Sequence, residues 1–389
     1  MSQPASESIT DCIRQTRSWV FDQALPVWSE VGVDGDLGFV EHLTLDGAPA
    51  EVGYKRLRVQ ARQVYVFSHA SLLGFAPGLE TARGGWSFMR AHGWMSEGGW
   101  ARRLGREGGV LDDTLDLYDQ AFALLAIAWW VRASGETEAI DLADATLDAI
   151  DRRLRPAHQL GWASESGPAG ELLQNPHMHM LEALIALYET TGGERFLDRA
   201  RSLVALAETK FYDSRTRTLS EYFAGDWTRA PGTRGEIVEP GHHYEWVWLL
   251  HRASAVSPTA LQTAESLFGF AERWGFDQRS HLVFDELLSD GHVRKASHRC
   301  WPQTEAIKAH LATFERTGSL DLARLTGLAS SLHRKYLAPA PRGTWIDQLT
   351  ADGAADVDKI PTSTLYHLFL AFTELLRLEP ELTEIEQTQ

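Results

Sequence analysis

The chain has 389 residues, 44% hydrophobic and 23% charged, which supplies a sizeable core and excludes an intrinsically disordered protein. A formal net charge of -16 argues against nucleic acid, anionic membrane surfaces and highly phosphorylated ligands as general partners. Two cysteines, Cys12 and Cys300, at neither zinc-type nor disulfide spacing, a polar start (MSQPASESITDC) and no apolar run of roughly 20 residues lead us to expect a cytoplasmic protein without a membrane partner.

Apolar positions recur at helical spacing, punctuated by Gly, Pro and polar clusters, and almost no stretch alternates as a strand does. In chain order, helices are expected at Glu7–Glu30, Tyr54–Leu73, Leu79–His92, Asp116–Ser134, Thr137–Leu154, Asn175–Thr191, Glu194–Phe211, Gly241–Ala255, Thr259–Trp274, Trp301–Thr317, Ser319–Leu337 and Ser363–Leu378. Ser134-Gly135, Thr191-Gly192-Gly193 and Thr317-Gly318 are stop signals. From the fifth onward, the odd-numbered helices, such as TEAIDLADATLDAIDRRL, carry a charged face and belong outside. The even-numbered ones open on polar and aromatic clusters and belong inside.

One marker per inner helix (Arg62, Tyr118, His179, His242, Gln303, His367) gives separations of 56, 61, 63, 61 and 64 residues, which implies six helical hairpins of near-equal length. Six such hairpins close on themselves as an all-α (α/α)6 barrel with an inner ring of parallel helices. Nothing in the composition divides the chain, so residues 1–389 are expected to form this one domain. Parallel inner helices bring their N-terminal clusters into a single pocket. An open superhelical array of hairpins is the alternative.

His242 lies in Glu239-Pro240-Gly241-His242-His243-Tyr244-Glu245-Trp246, where Pro-Gly forms the turn into a helix. In a first turn the helix dipole disfavours the protonated imidazole, so a neutral base near pH 7 is expected. Glu245, three residues on, shares its face and is placed to orient it. His367, preceded by the candidate caps Ser363 and Thr364, occupies another inner first turn. Asn175 and His179 share a face with Pro176 at the helix start, and Glu182 is placed to orient His179, whereas His177 points away and is structural.

Among the basic residues Lys55, Arg58 and Arg62, a buried guanidinium at Arg62 suits a developing enolate oxygen. Tyr118, Trp246, Trp301 and Glu305 complete the expected lining. Each of these has a plainer reading as cap, core or solvated face. There is no H-E-x-x-H, His177 and His179 diverge, and adjacent His242 and His243 do not face one metal, so neither a metal nor a cofactor is expected. Gly105–Gly109 lacks the context of a phosphate loop and reads as a surface turn.

RVQARQVYVF (58–67), LYDQAF (117–122), QNPHMHMLEAL (174–184), EPGHHYEWVWLL (239–250), WPQTEAIKA (301–309) and LYHLFLAF (365–372) together resemble the N-acylglucosamine 2-epimerase superfamily, and within it the D-mannose isomerase branch. The resemblance runs from about Ser18 to Glu374 in order and spacing. It implies an (α/α)6 barrel, His242 and His367 as an acid/base pair, and Arg62, Tyr118, Asn175, His179 and Glu245 holding an open-chain sugar. Gln120 departs from it, standing where the family more often has His.

The expected reaction is aldose–ketose isomerisation of a free monosaccharide, D-mannose to D-fructose or a related aldose such as D-lyxose, through a cis-enediol. His367 abstracts from C2, His242 donates and Arg62 polarises the carbonyl. Sugar 2-epimerisation is the near alternative, on mannose and glucose or on N-acylglucosamine. Inverting glycoside hydrolysis by Glu182, Glu245 and Glu305 is the remote one, and a non-catalytic binding protein is the third. A phosphorylated sugar stays open through Lys55, Arg56, Arg58 and Lys359, and the chain is expected to be a monomer or homodimer.

Overall fold

The computed structural model describes residues 7–155, 160–167, 170–255, 257 and 259–388; the first six residues of the polar N-terminal stretch lie outside them. In chain order the helices are α1 (Ile9–Ser18), α2 (Leu25–Glu30), α3 (Leu57–Leu72), α4 (Gly78–Phe88), α5 (Leu117–Ser134), α6 (Ile140–Arg153) and α7 (Gln174–Thr191). They continue as α8 (Glu194–Leu206), α9 (Pro240–Arg252), α10 (Ala260–Trp274), α11 (Cys300–Thr317), α12 (Leu322–Leu332), α13 (Leu365–Arg377) and α14 (Glu379–Thr388).

α5 shows why the inner helices look as they do in sequence: LYDQAFALLAIAWW is apolar on nearly every side, and nearly every side is buried. α6 keeps only Ala143, Thr146, Leu147, Ala149 and Ile150 inside and turns its charges to solvent. Gly135, Gly192 and Gly318 adopt left-handed backbone (φ 77, 67 and 69) and close α5, α7 and α11, as the stop signals require.

The inner ring is continuous. α3 packs on α5, α5 on α7, α7 on α9, α9 on α11, α11 on α13, and α13 returns to α3. The outer helices α4, α6, α8, α10 and α12 each pack on the preceding inner helix, and α1 seals the ring against α12 and α13. This closure excludes the open array.

Three features differ from the sequence expectation. The first helix is interrupted by a π-helical turn at Trp19–Ala24, and three other outer helices end in π turns at Met89–Gly93, Ala207–Phe211 and His333–Leu337. These wider turns preserve apolar periodicity closely enough to read as one helix. Second, short strands of two or three residues precede the inner helices. Tyr54–Arg56, expected as helix, is one of them, and His42–Leu43 pairs with Ile360–Pro361 across the chain's two ends. Strands this short carry no detectable alternation. Third, α14 (EPELTEIEQT) was not expected. Leu382 is its one buried residue, so it lacks an apolar stripe, and it is held by Glu386 Oε1 accepting from the Ile9 amide at 2.7 Å.

A repeated clamp fixes the start of five of the six inner helices. The fourth residue of α3, α5, α7, α9 and α11 is Gln60, Gln120, His177, His243 and Gln303. Each accepts from a backbone amide in the preceding loop: Phe39, Trp100, Trp162, Leu219 and Val283, at 2.7 to 3.1 Å. Gln120 is therefore a structural clamp, as His177 is. Gly105–Gly109 is the expected turn, between strands Arg103–Gly105 and Val110–Asp112. Among the described residues no helix is long and apolar enough to cross a membrane.

Candidate active site

A cavity of about 390 Å³ opens where the inner helices begin. Arg62, Tyr118, Asn175, His179, His242, Glu245, Trp301 and His367 all line it, from the first two turns of their helices. Glu305 lies beneath the lining rather than in it, fully buried against His367. Trp246 does not reach the cavity; its indole donates to Gln174 Oε1 at 2.6 Å.

His242 and His367 are both the third residue of their helices, α9 and α13. The expected Ser363 and Thr364 caps do not form: a short 3₁₀ turn, Thr362–Thr364, leads into α13, and Thr364 Oγ1 donates to Asp347 at 2.7 Å. The Trp301 ring stands beside both imidazoles, with centroids 5.0 Å from His242 and 5.4 Å from His367. Its close approach requires Gly241, since a Cβ there would sit 2.7 Å from the indole.

Each cavity histidine presents Nδ1 to a carboxylate. His242 Nδ1 lies 2.9 Å from Glu221 Oε2, His367 Nδ1 lies 2.8 Å from Glu305 Oε1, and His179 Nδ1 lies 3.3 Å from Glu182 Oε2. A carboxylate on Nδ1 fixes the tautomer and leaves Nε2 as the nitrogen available to the cavity. Gln174 braces the first pair by donating to Glu221 Oε2 at 2.7 Å.

The two principal histidines are shifted in opposite directions. Burial opposes the His242 imidazolium, but Glu221 and then Glu239 outweigh it and raise the group to about 9. This overturns the neutral His242 expected from the helix dipole. The dipole is worth up to about 1 kcal/mol at most surface sites, less than a buried carboxylate in contact. Burial, reinforced by Arg62 and Lys308, holds His367 well below its ordinary 6.5. The two shifts make His242 the more readily protonated of the pair and His367 the less.

Glu245 also differs from expectation. It makes no contact with His242; its Oε1 lies 3.8 Å from His179 Nδ1, and neither oxygen has a hydrogen-bond partner among the described residues. Burial, reinforced by the Glu305 carboxylate, pushes it well above its ordinary 4.5. Glu182 does support His179, and it accepts from Tyr366 at 2.5 Å. Burial lowers His179 to about 4 against that carboxylate.

Arg62 donates to the Tyr118 hydroxyl at 2.6 Å and the Ser363 carbonyl at 3.2 Å, and its guanidinium lies 4.1 Å from the Phe122 ring centroid. Its buried Nε is unpartnered, and no carboxylate pairs with it among the described residues. Asn175 Oδ1 is likewise buried without a donor. These are vacant hydrogen-bonding positions beside a charge relay.

The chain's family is decided by a match over most of its length: residues 38–371 fit the family model described as N-acylglucosamine 2-epimerase (GlcNAc 2-epimerase). The chain belongs to the N-acylglucosamine 2-epimerase family. It is similar to a mannose-6-phosphate isomerase of Rhizobium meliloti (strain 1021), 35% identical over 371 residues that cover 92% of this chain and 95% of that one. A cellobiose 2-epimerase of Bacteroides fragilis is 25% identical over 357 residues, covering 86% and 90%. The crystal structure of a D-mannose isomerase shares the fold, with a TM-score of 0.81 at 23% identity over 97% of this chain and 100% of that one.

In this epimerase-family chain, sequence reasoning missed Glu221 and Lys308. Glu221 follows a strand between α8 and α9, where no helical spacing points to it. Lys308 is three residues from Glu305 on α11 and resembles an ordinary surface pair, yet both side chains are fully buried. No metal motif is present in the sequence, but the fold gathers His179/Glu182/Glu245, Glu221/Glu239/His242 and Glu245/Glu305/His367, each with donor atoms within 4.8 Å. In two of these groups a cation already stands against a carboxylate: Lys308 at Glu305, 2.6 Å, and Arg299 at Glu239, 2.7 Å.

Of the cations considered for a phosphate, Lys55 is buried against Asp34 at 3.0 Å, away from the cavity. Arg56 reaches the rim paired with Glu41 at 2.7 Å, and Arg58 is tied to Asp116 and Asp119. Lys359 lines the cavity, and its ion-pair partner is the exposed neighbour Asp358.

Proposed function

We propose that this chain is an aldose–ketose isomerase that interconverts D-mannose and D-fructose, and related aldoses such as D-lyxose, through a cis-enediol. The observation that carries this reading is the opposite protonation of His242 and His367 on either side of Trp301, beside an Arg62 with no counter-ion.

In an open-chain aldose the C1 carbonyl acidifies C2–H. Neutral His367 takes that proton, and the electrons of the C2–H bond form the C1=C2 double bond while O1 becomes an oxyanion. Arg62, buried and paired with no carboxylate among the described residues, stabilises that oxyanion. The O2–H proton passes to O1, and as the electrons left on O2 form the C2 ketone, the C1=C2 pair takes a proton at C1 from the imidazolium of His242. The reverse reaction exchanges the two roles. Glu245 and Asn175 are placed to hold sugar hydroxyls, one donating and the other accepting.

The paired state of Arg56 and Arg58 favours a free sugar over a phosphorylated one. Epimerisation at C2 differs in one step, return of the proton to the opposite face of C2, and similarity to the cellobiose 2-epimerase keeps it in view. Inverting glycoside hydrolysis fits less well, because Glu182 and Glu305 face histidines rather than two sides of a bond.

The test is incubation with mannose, and separately with mannose 6-phosphate, in D2O. Fructose with solvent deuterium at C1, lost in His367→Ala, is expected. Glucose as the main early product assigns epimerisation instead, and turnover of the phosphate ester alone assigns the phosphorylated substrate.

A further inference from the structure

Lys308 is fully buried, a rare position for an ammonium group, and the proton transfers described above do not use it. Its Nζ lies 2.6 Å from Glu305 Oε2 and 4.1 Å from the Trp248 ring centroid. The other titratable groups that bear on it are Glu245 from α9 and Glu182 from α7. Glu305 turns its second oxygen to His367, 2.8 Å from Nδ1. Lysine, carboxylate and imidazole thus form one line from the barrel interior to the cavity.

The His242 pair provides an internal comparison. There too a buried carboxylate contacts Nδ1, at 2.9 Å, and that imidazole is protonated. His367 makes the same contact and is held well below its ordinary value. What differs is what lies behind and around the carboxylate. Glu221 is braced by the uncharged amide of Gln174, with Glu239 a second carboxylate 3.8 Å from the imidazole. Behind Glu305 stands an ammonium. Facing His367 are Arg62 from α3, His179 and Glu182 from α7, Glu245 from α9, and Glu305 and Lys308 from α11. A carboxylate already neutralised at contact distance orients an imidazole without charging it.

We propose that Lys308 is a positioning residue that divides the histidine pair into base and acid: by neutralising Glu305 it lets that carboxylate aim His367 while leaving the imidazole uncharged. The catalytic consequence rests on the isomerase reading; the charge state of His367 does not.

The experiment is an NMR titration of the His367 imidazole in isotope-labelled protein, assigned by comparison with His367→Ala. It is run on the wild type, K308R, K308M and the double variant K308M/E305Q, alongside the pH dependence of kcat/KM. In the wild type, K308R and K308M/E305Q, His367 is expected to stay neutral at pH 6 and above. In K308M its titration rises by about one pH unit or more, and the acid limb of kcat/KM rises with it. The proposal is overturned if K308M titrates as the wild type does, or if K308R behaves as K308M does. A wild-type His367 charged at pH 7 also overturns it, whether or not K308M folds. A wild type inactive on mannose refutes the isomerase reading, while the titration still decides the role of Lys308.

Discussion

Glu221→Gln isolates the charge on His242. The wild-type imidazole is raised to about 9 from an ordinary 6.5, with Glu221 the largest contribution after opposing burial. Gln keeps an acceptor for Nδ1–H, so ring orientation and tautomer survive while the negative charge is lost. Removing a contacting carboxylate lowers a histidine by about 1–3 pH units, or about 1.4–4 kcal/mol. At pH 8 the wild-type imidazole is about nine-tenths protonated, and after a fall of two units it is about one-tenth protonated. A rate that depends on acid His242 therefore drops about tenfold at pH 8, and much less at pH 6, where both forms hold the proton.

The assay is initial-rate formation of fructose from mannose between pH 5 and 10, with the basic limb expected near 9 in the wild type. Stability follows the same sign. The folded value exceeds the unfolded one, so the contribution is complete below about pH 6.5 and fades as pH rises through the folded value. A basic limb unmoved in E221Q would refute the argument that Glu221 charges His242.

Arg62→Met should lower kcat/KM by about 10²–10³ with little change in melting temperature, because no carboxylate is left unpaired; a normal rate would remove Arg62 from oxyanion stabilisation. Gly241→Ala places a Cβ 2.7 Å from the Trp301 ring. A loss of about 1–3 kcal/mol in denaturant unfolding, together with impaired turnover, is expected. Gln120→Ala removes two backbone contacts to Trp100, at 2.8 and 2.9 Å, and should destabilise by about 1–3 kcal/mol while leaving kcat of the folded fraction unchanged. A selective fall in kcat would instead place Gln120 in the chemistry.

The sequence by itself determined the frame. Helical periodicity, glycine stops and the near-equal spacing of Arg62, Tyr118, His179, His242, Gln303 and His367 define six hairpins, and all of these positions but Gln303 converge on the cavity because each lies near an inner helix start. Periodicity reports which face of an element is buried, so it finds such residues well. It is blind to α14, which buries Leu382 alone, and to two-residue strands, where alternation has no room to show.

Only the tertiary structure decided the charges. Glu221 and His242 meet at 2.9 Å from a loop and a helix, and Glu305 and His367 meet at 2.8 Å from two different helices. Helix-dipole reasoning gave His242 the wrong charge because it sees only the local backbone. A proton's affinity is set by the nearest charges through space and by the loss of water, and both depend on which elements the closed ring presses together. The same two first-turn histidines are thus shifted in opposite directions.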